Sequence, residues 1–441
     1  MFIADFHIHS KYSRATSKDM DLEHIGQWAK IKGIKVMGSG DFTHPAWFKE
    51  LTNKLEPAEK GLFRLKPQVL MVAKKNDTGW YTPLVKPGEV RYILTTELSC
   101  IYSKNNRTRK IHLMIFAPNF EFVEKFNTHL GWIGNLKADG RPILGLDAKE
   151  VAKIALNLSP EAVIVPAHIW TPWFSLFGSM SGFDTIKECF EEYSRYIYAL
   201  ETGLSSDPAM NWRVSGIDGI TLISNSDSHS PQRIGREANM FEGKDLSYAR
   251  LTEAVRLGAR APQTNSLRMT GTVEFFPEEG KYHYDGHRAC KIVFSPKESK
   301  EHKNICPVCG KRLTIGVMNR VDELADKDRP EGYQAKGVLP YLSLIPLEEI
   351  ISDAIGVGVG TKAVNKEYEE LINKFGNEFE ILMNASKSDL ERATKPEIAE
   401  GIIRVREKRV KIEPGYDGEY GKVKIFDEKE RASFSKQNSL F

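Results

Sequence analysis

The stretch Phe2-Ile3-Ala4-Asp5-Phe6-His7-Ile8-His9 starts as an apolar run and closes on two histidines one residue apart. Six more runs rich in Val, Ile and Leu follow at 35–40, 92–97, 111–116, 162–167, 197–201 and 220–225. Continuous apolar runs of this length suit strands buried on both faces. Helical patterns lie between them, such as Leu22, Ile25, Ala29 and Ile31, or Val151, Ile154, Ala155 and Leu158 after Asp147. Strand–helix alternation predicts an α/β chain with a parallel sheet, open or closed into a barrel.

The ends of these runs carry the chemistry. After the second run come Asp41, Phe42, Thr43 and His44. The third run ends at Glu97 and the fourth carries His112 near its start. His168 follows the fifth, Glu201 ends the sixth, and Asp227-Ser228-His229 follows the seventh. In parallel α/β barrels the catalytic side chains project from the C-terminal ends of strands. Imidazole with carboxylate is a ligand set for Zn²⁺, Mn²⁺ or Fe. His7, His9, Asp41, His44, Glu97, His112, His168, Asp227 and His229 are more ligands than one ion needs, which predicts two or three metals sharing carboxylates. Such a cluster suits phosphoester hydrolysis, because a metal activates water and neutralises phosphate. Glu97 and Asp227 would hold the attacking group, and Asp41 would be a ligand or a general acid/base. A lone histidine is more often a hydrogen-bonded structural group, and His24 and His129 are read so.

Composition sets the outer bounds. The chain has 441 residues, 41% hydrophobic and 27% charged, which is ordinary for a globular protein of several domains. No run of 18 uncharged apolar residues is present, and the first residues lack the pattern of a secretory signal, so a cytoplasmic protein is expected. The formal charge of +3 does not by itself argue for nucleic acid. Five cysteines are too few for a disulfide scaffold.

Three of those cysteines fall in a short segment, 270–325, that follows the expected barrel at 1–265. His287-x2-Cys290 and Cys306-x2-Cys309 are two ligand knuckles, and Cys306-Pro307-Val308-Cys309-Gly310-Lys311 reads as a zinc-ribbon turn. Three thiolates and one imidazole predict a closed structural zinc site. His283 is a reserve ligand, and Cys100 and Cys189 are read as buried thiols. Residues 335–425 are helical by pattern, with Leu347, Ile350, Ile351 and Ala354 at helical spacing. The Gly-Val-Gly-Val-Gly turn at 356–360 between two helices resembles a helix-hairpin-helix, which offers backbone N–H groups to DNA phosphates. A plain helical bundle reads the same pattern. From Glu413 onward the chain is expected to be loosely ordered, and 426–441 is read as a flexible tail.

Arg404, Arg406, Lys408 and Arg409 make one basic cluster; Arg107 and Arg109 make another beside the active-site strand. With Arg14 and Arg236 they are candidate phosphate-binding residues. Trp170, Trp173 and Phe174 follow His168 and could stack on a base extruded from a duplex. Gln437, Leu440 and Phe441 resemble a shortened sliding-clamp (PCNA) binding peptide.

Asp5-x-His7-x-His9, Glu97, His168 and Asp227-x-His229 resemble the motifs of the polymerase-and-histidinol-phosphatase (PHP) superfamily over roughly the first 260 residues. That resemblance implies a distorted seven-stranded barrel with up to three metals at its mouth. One metal would be held by His7, His9, Glu97 and Asp227, and a second by Glu97, His112 and His168. A third would use His229. The chain departs from the pattern where Asp41 is followed by Phe42, and residues 11–16 hold no extra His or Asp. PHP barrel, zinc ribbon and helical tail in that order resemble the endonuclease Q family of DNA-repair nucleases, as do the stretches 9–16, 40–45 and 235–238. This implies cleavage of the phosphodiester 5′ to deoxyuridine, deoxyinosine or abasic sites in double-stranded DNA. The barrel would use Zn²⁺, with Mg²⁺ or Mn²⁺ as alternatives, and the ribbon one structural Zn²⁺. A PHP-type small-molecule phosphatase and a non-catalytic DNA- or clamp-binding scaffold are the other readings; neither accounts for all three parts.

Overall fold

The computed structural model describes residues 1–69, 90–427 and 429–431. All seven apolar runs form strands, but the sheet they build is mixed. Phe2–Asp5 lies parallel to Ile34–Gly38, which lies parallel to Arg91–Lys104. Arg91–Lys104 then pairs antiparallel with Arg107–Ala117, and that strand pairs antiparallel with Val163–Pro166. Ala199–Glu201 and Thr221–Ile223 form a separate parallel pair.

No helix separates the third and fourth strands, so the strand–helix alternation breaks here. Arg91–Lys104 and Arg107–Ala117 are the arms of one long hairpin. Its two-residue turn is Asn105-Asn106, with φ of 55° and 56°. A tight hairpin needs left-handed backbone at both central positions, and asparagine tolerates it better than most residues. This turn brings Glu97 and His112 onto adjacent strands.

The strands divide their side chains between two cores. Ala4, Phe6, Val36, Ile93, Met114, Phe116, Val163, Val165, Ala199, Ile223 and Phe241 meet in one buried cluster. Their alternate neighbours, such as Ile3, Met37, Leu94 and Ile164, face the helices in a larger one. Three strands outside the seven runs extend the sheet beyond Phe2–Asp5. Ala238–Gly243 pairs antiparallel with both Phe2–Asp5 and Leu267–Glu274, and Tyr341–Ser343 adds parallel to the latter.

The C-terminal helices Leu347–Ile355, Lys362–Phe375, Lys387–Ala393 and Pro396–Arg406 bury the expected apolar positions. They dock on the N-terminal part through ion pairs: Lys32 Nζ sits 2.7 Å from Glu378, both buried, and Arg233 pairs with Glu349. The expectation of loose order after Glu413 is corrected for the stretch through Phe426; the rest of the tail lies largely outside the described residues. Lys411–Glu413 pairs with Lys422–Lys424, and Phe426 is buried against Gly401 with the Arg404 guanidinium over its ring. A large aromatic with a closed apolar seat orders the segment that carries it.

Candidate metal centre

Glu97 is the hub. Its carboxylate is buried, with one oxygen 2.9 Å from His168 Nε2 and 2.6 Å from His112 Nδ1. The other oxygen accepts from the Arg141 guanidinium at 3.0 Å and lies 3.2 Å from His9 Nε2. Asp227 Oδ1 lies 3.0 Å from His9 Nε2 and 3.7 Å from His7 Nε2. Two groups result, His7, His9, Glu97 and Asp227, and Glu97, His112 and His168, each with ligand atoms within 4.8 Å of one another.

A cation fits this geometry. His7 Nε2, His9 Nε2 and Asp227 Oδ1 are buried and make no hydrogen bond of good geometry, close as they lie, and they converge on one space. Buried polar atoms left unpaired are costly, and an ion between them removes the cost. Burial alone would raise both carboxylates. Instead His112, Arg141 and His7 hold Glu97 well below the usual carboxylate range, and His7 and His9 do the same for Asp227. These surroundings favour the anionic form of both carboxylates.

The imidazoles are aimed by a second layer of carboxylates. His7 Nδ1 sits 3.0 Å from Glu201, which also accepts from Asn225 Nδ2 and the backbone N–H of His168. His9 Nδ1 sits 3.0 Å from Asp41 Oδ1. The other oxygen of Asp41 accepts from Ser10 N, Ser10 Oγ and Ser13 Oγ at 2.6, 2.7 and 2.9 Å. Carboxylates in this position fix the tautomer and orientation of a metal-ligating histidine. Asp41, His168 and Asp227 have φ of 46°, 30° and 45°. Left-handed backbone at three site residues turns each side chain off its strand direction toward the centre.

Not every expected ligand arrives there. His44 and His229 belong to neither group of ligands among the described residues. His44 stacks on Tyr12 at 4.5 Å, and its position as the residue before helix Pro45–Lys54 points it along that packing. The His229 ring lies 4.5 Å from that of His9, with Nδ1 bonded to the Asp227 carbonyl. Asp41 has both oxygens engaged by His9, Ser10 and Ser13. Glu201 and Arg141 were not among the expected site residues. Glu201 ends an apolar run as the others do, whereas Arg141 sits in a loop that no periodicity marks.

The other expected contacts separate by exposure. Trp170 is corrected from stacking surface to core: it is 1% exposed, bonds Asn211 through Nε1 and packs on Phe177. Trp173 is 41% exposed, and half-buried Phe174 lies 4.7 Å from the His112 ring. Arg109 is also corrected; it is buried over Phe183 and bonds the Gly182 carbonyl. Arg406 bonds the carbonyls of Ile381, Leu382 and Ala385, so it closes a helix end instead of facing DNA. Arg404 pairs with Glu400 and Glu430, and Arg236 bonds the Ser226 carbonyl beside Asp227. Arg14, Arg107, Lys408 and Arg409 are exposed, Arg409 paired with Glu407. Gln437, Leu440 and Phe441 lie outside the described residues.

In the small module, hairpin Asp285–His287/Ile292–Phe294 and the turn at 306–309 bring His287, Cys290, Cys306 and Cys309 together within 4.8 Å. Burial would raise Cys306, but the N–H groups of Cys309 and Val308 draw its thiol below the usual value. A thiolate donor suits zinc. His283 lies apart, stacked on Tyr284. Among the described residues no helix is long and apolar enough to cross a membrane.

Comparison with known proteins places these features. Residues 346–409 match the family described as the MJ0043 C-terminal domain. The chain is 35% identical over 275 residues to the uncharacterised protein MJ0043 of Methanocaldococcus jannaschii, a match covering 59% of this chain but only 32% of that protein. It is 28% identical over 414 residues to the uncharacterised protein YqxK of Bacillus subtilis, covering 91% of this chain and 97% of YqxK. Among solved structures, the lesion-specific endonuclease PfuEndoQ of Pyrococcus furiosus superposes with a TM-score of 0.81 at 30% identity, covering 100% of this chain and 99% of that one. An endonuclease Q bound to a 27-mer duplex with an abasic lesion at its active site superposes with a TM-score of 0.79 at 30% identity, covering 97% of this chain and 98% of that one.

Proposed function

This chain belongs to the endonuclease Q family and is a DNA-repair endonuclease, and from that premise we propose that it hydrolyses the phosphodiester 5′ to a deaminated or abasic nucleotide in duplex DNA, with metal ions gathered around Glu97 at the mouth of a PHP-type barrel. The observation that carries the reading is the convergence of His7 Nε2, His9 Nε2 and Asp227 Oδ1 beside Glu97. His7, His9, Glu97 and Asp227 would hold one ion, and Glu97, His112 and His168 a second. Zinc suits these imidazole-rich sets, with Mn²⁺ or Mg²⁺ as alternatives, and a structural zinc would sit among His287, Cys290, Cys306 and Cys309. Bound ions would supply an activated water and neutralise the phosphate.

The protein's own part is positional. Glu201 and Asp41 hold the His7 and His9 rings with their outer nitrogens turned inward. The Arg141 guanidinium and the surrounding imidazoles favour the anionic form of Glu97. Trp173 and Phe174 offer an aromatic rim where an extruded base could stack, beside His112. The exposed Arg107 and Lys408 would lie along the backbone of the bound duplex.

End-labelled duplexes carrying one uracil, hypoxanthine or abasic site test the proposal, with and without chelator. The expected result is a single cut beside the lesion that the chelator abolishes. Asp227→Asn should lower the rate by more than the ~10–100-fold typical of groups that only orient a ligand. Near-normal cutting by that variant would refute the assignment.

A further inference from the structure

The loop 135–141 reaches Glu97 through Arg141 and is tied down on both sides. Gly140 N donates to the Tyr12 carbonyl, and Thr43 Oγ1 donates to the Gly140 carbonyl at 3.4 Å. A Cβ at Gly140 would stand 2.2 Å from Asp41 Oδ2 and 2.3 Å from Ser13 Oγ, so only glycine lets the loop approach this closely. On either side of this glycine stand Asp139 and Arg141. Asp139 Oδ1 accepts from the backbone N–H of both Arg14 and Arg141, at 3.3 and 3.1 Å, and its Oδ2 lies 3.4 Å from Arg14 Nε. One carboxylate therefore holds two arginines side by side.

Their side chains go to different depths. Arg141 reaches inward to Glu97 at 3.0 Å and keeps 28% of its side chain exposed; Arg14 is 77% exposed. A partly exposed guanidinium with one N–H on a candidate metal-ligand carboxylate suits a phosphate oxygen, which it can take in its planar fork.

We propose that Arg141 and Arg14, joined by Asp139, form a two-point clamp on the cleaved strand, with Arg141 on a non-reacting oxygen of the scissile phosphate and Arg14 on the next phosphate along. The inference rests on the nuclease reading above. It differs from a general basic patch because it assigns each arginine one phosphate.

The test is a chemical cycle on binding, measured in chelator so that no cutting occurs. Abasic-site duplexes carry a neutral methylphosphonate either at the scissile position or at its neighbour. Each of Arg141→Ala and Arg14→Ala should weaken wild-type binding to the ordinary duplex about tenfold, as expected for one charge-assisted contact. Each should also lower the slope of log affinity against log salt by about 1. The decisive result is non-additivity: Arg141→Ala should lose nothing further from the scissile methylphosphonate, and Arg14→Ala nothing further from the neighbouring one. Arg141→Lys should fall between wild type and alanine. Melting temperature and metal content by elemental analysis would show whether a variant has instead disturbed Glu97. Fully additive losses with intact metal content would overturn the clamp and leave the nuclease assignment standing. A wild-type protein that neither binds nor cuts lesion duplexes would overturn both.

Discussion

Asp41 illustrates how a single residue's role depends on what surrounds it. One oxygen faces His9 and the other collects three donors, so its carboxylate is an orienting group. Replacing Asp41 by Asn puts an amide N–H against either His9 or the Ser10 donors. The expected outcome is a ~10–100-fold loss of cleavage with reduced metal content in the barrel, the usual size for an outer partner of a ligating histidine. Elemental analysis beside single-turnover cleavage checks it, and unchanged far-UV dichroism would show that the fold survives. From sequence, Asp41 looked like a ligand because it follows a strand as the ligands do. Its engagement by Ser10 and Ser13 depends on the path of the loop after His9, which spacing does not encode.

Among elements, the hairpin Arg91–Lys104/Arg107–Ala117 positions the shared carboxylate. Its signal was present in Asn105-Asn106, a pair suited to left-handed turns, but the apolar runs on either side read equally well as separate strands. Helix Pro396–Arg406 teaches the reverse lesson. Its basic C-terminal turn looks like a surface for DNA, yet Arg406 donates to the carbonyls of Ile381, Leu382 and Ala385 at 2.6–2.7 Å. Those groups close the short helical segment Glu380–Asn384. Arg406→Ala should destabilise the protein by about 2 kcal/mol, since it strands carbonyls that a charged donor satisfied. Urea unfolding measures this, and the salt slope of DNA binding should stay unchanged.

Across the whole molecule, the sheet carries buried acids that the chemistry does not use. Burial outweighs the hydroxyls of Thr272, Thr202 and Ser224 and pushes Glu274 up to about 7. Glu237, buried beside it, is held well above the carboxylate range by burial and by the Glu274 charge. A folded-state value above the unfolded one means the folded protein binds the proton more tightly. The associated stability is present below about pH 4.5 and is lost as pH rises through about 7. For Glu274 this amounts to roughly 3 kcal/mol. Glu274→Gln should therefore gain stability relative to wild type as pH is raised from 5 to 8, read as a growing difference between their denaturation midpoints. An equal midpoint difference at both pH values would contradict it.

The sequence by itself determined which residues could bind metal and that they sit at strand ends, because apolar runs followed by His, Asp and Glu are local patterns. It also marked His287, Cys290, Cys306 and Cys309 as one cluster, since two knuckles with fixed spacing need no tertiary information. Only the tertiary structure decided how the candidates divide. Glu97 became shared because a hairpin set it beside His112 and opposite His168. Glu201 and Asp41 became orienting groups, and Arg141 arrived from a loop with no periodicity. Arg109, Arg406 and Trp170 went inward because charge and aromaticity state what a side chain can do, while burial and available partners settle what it does.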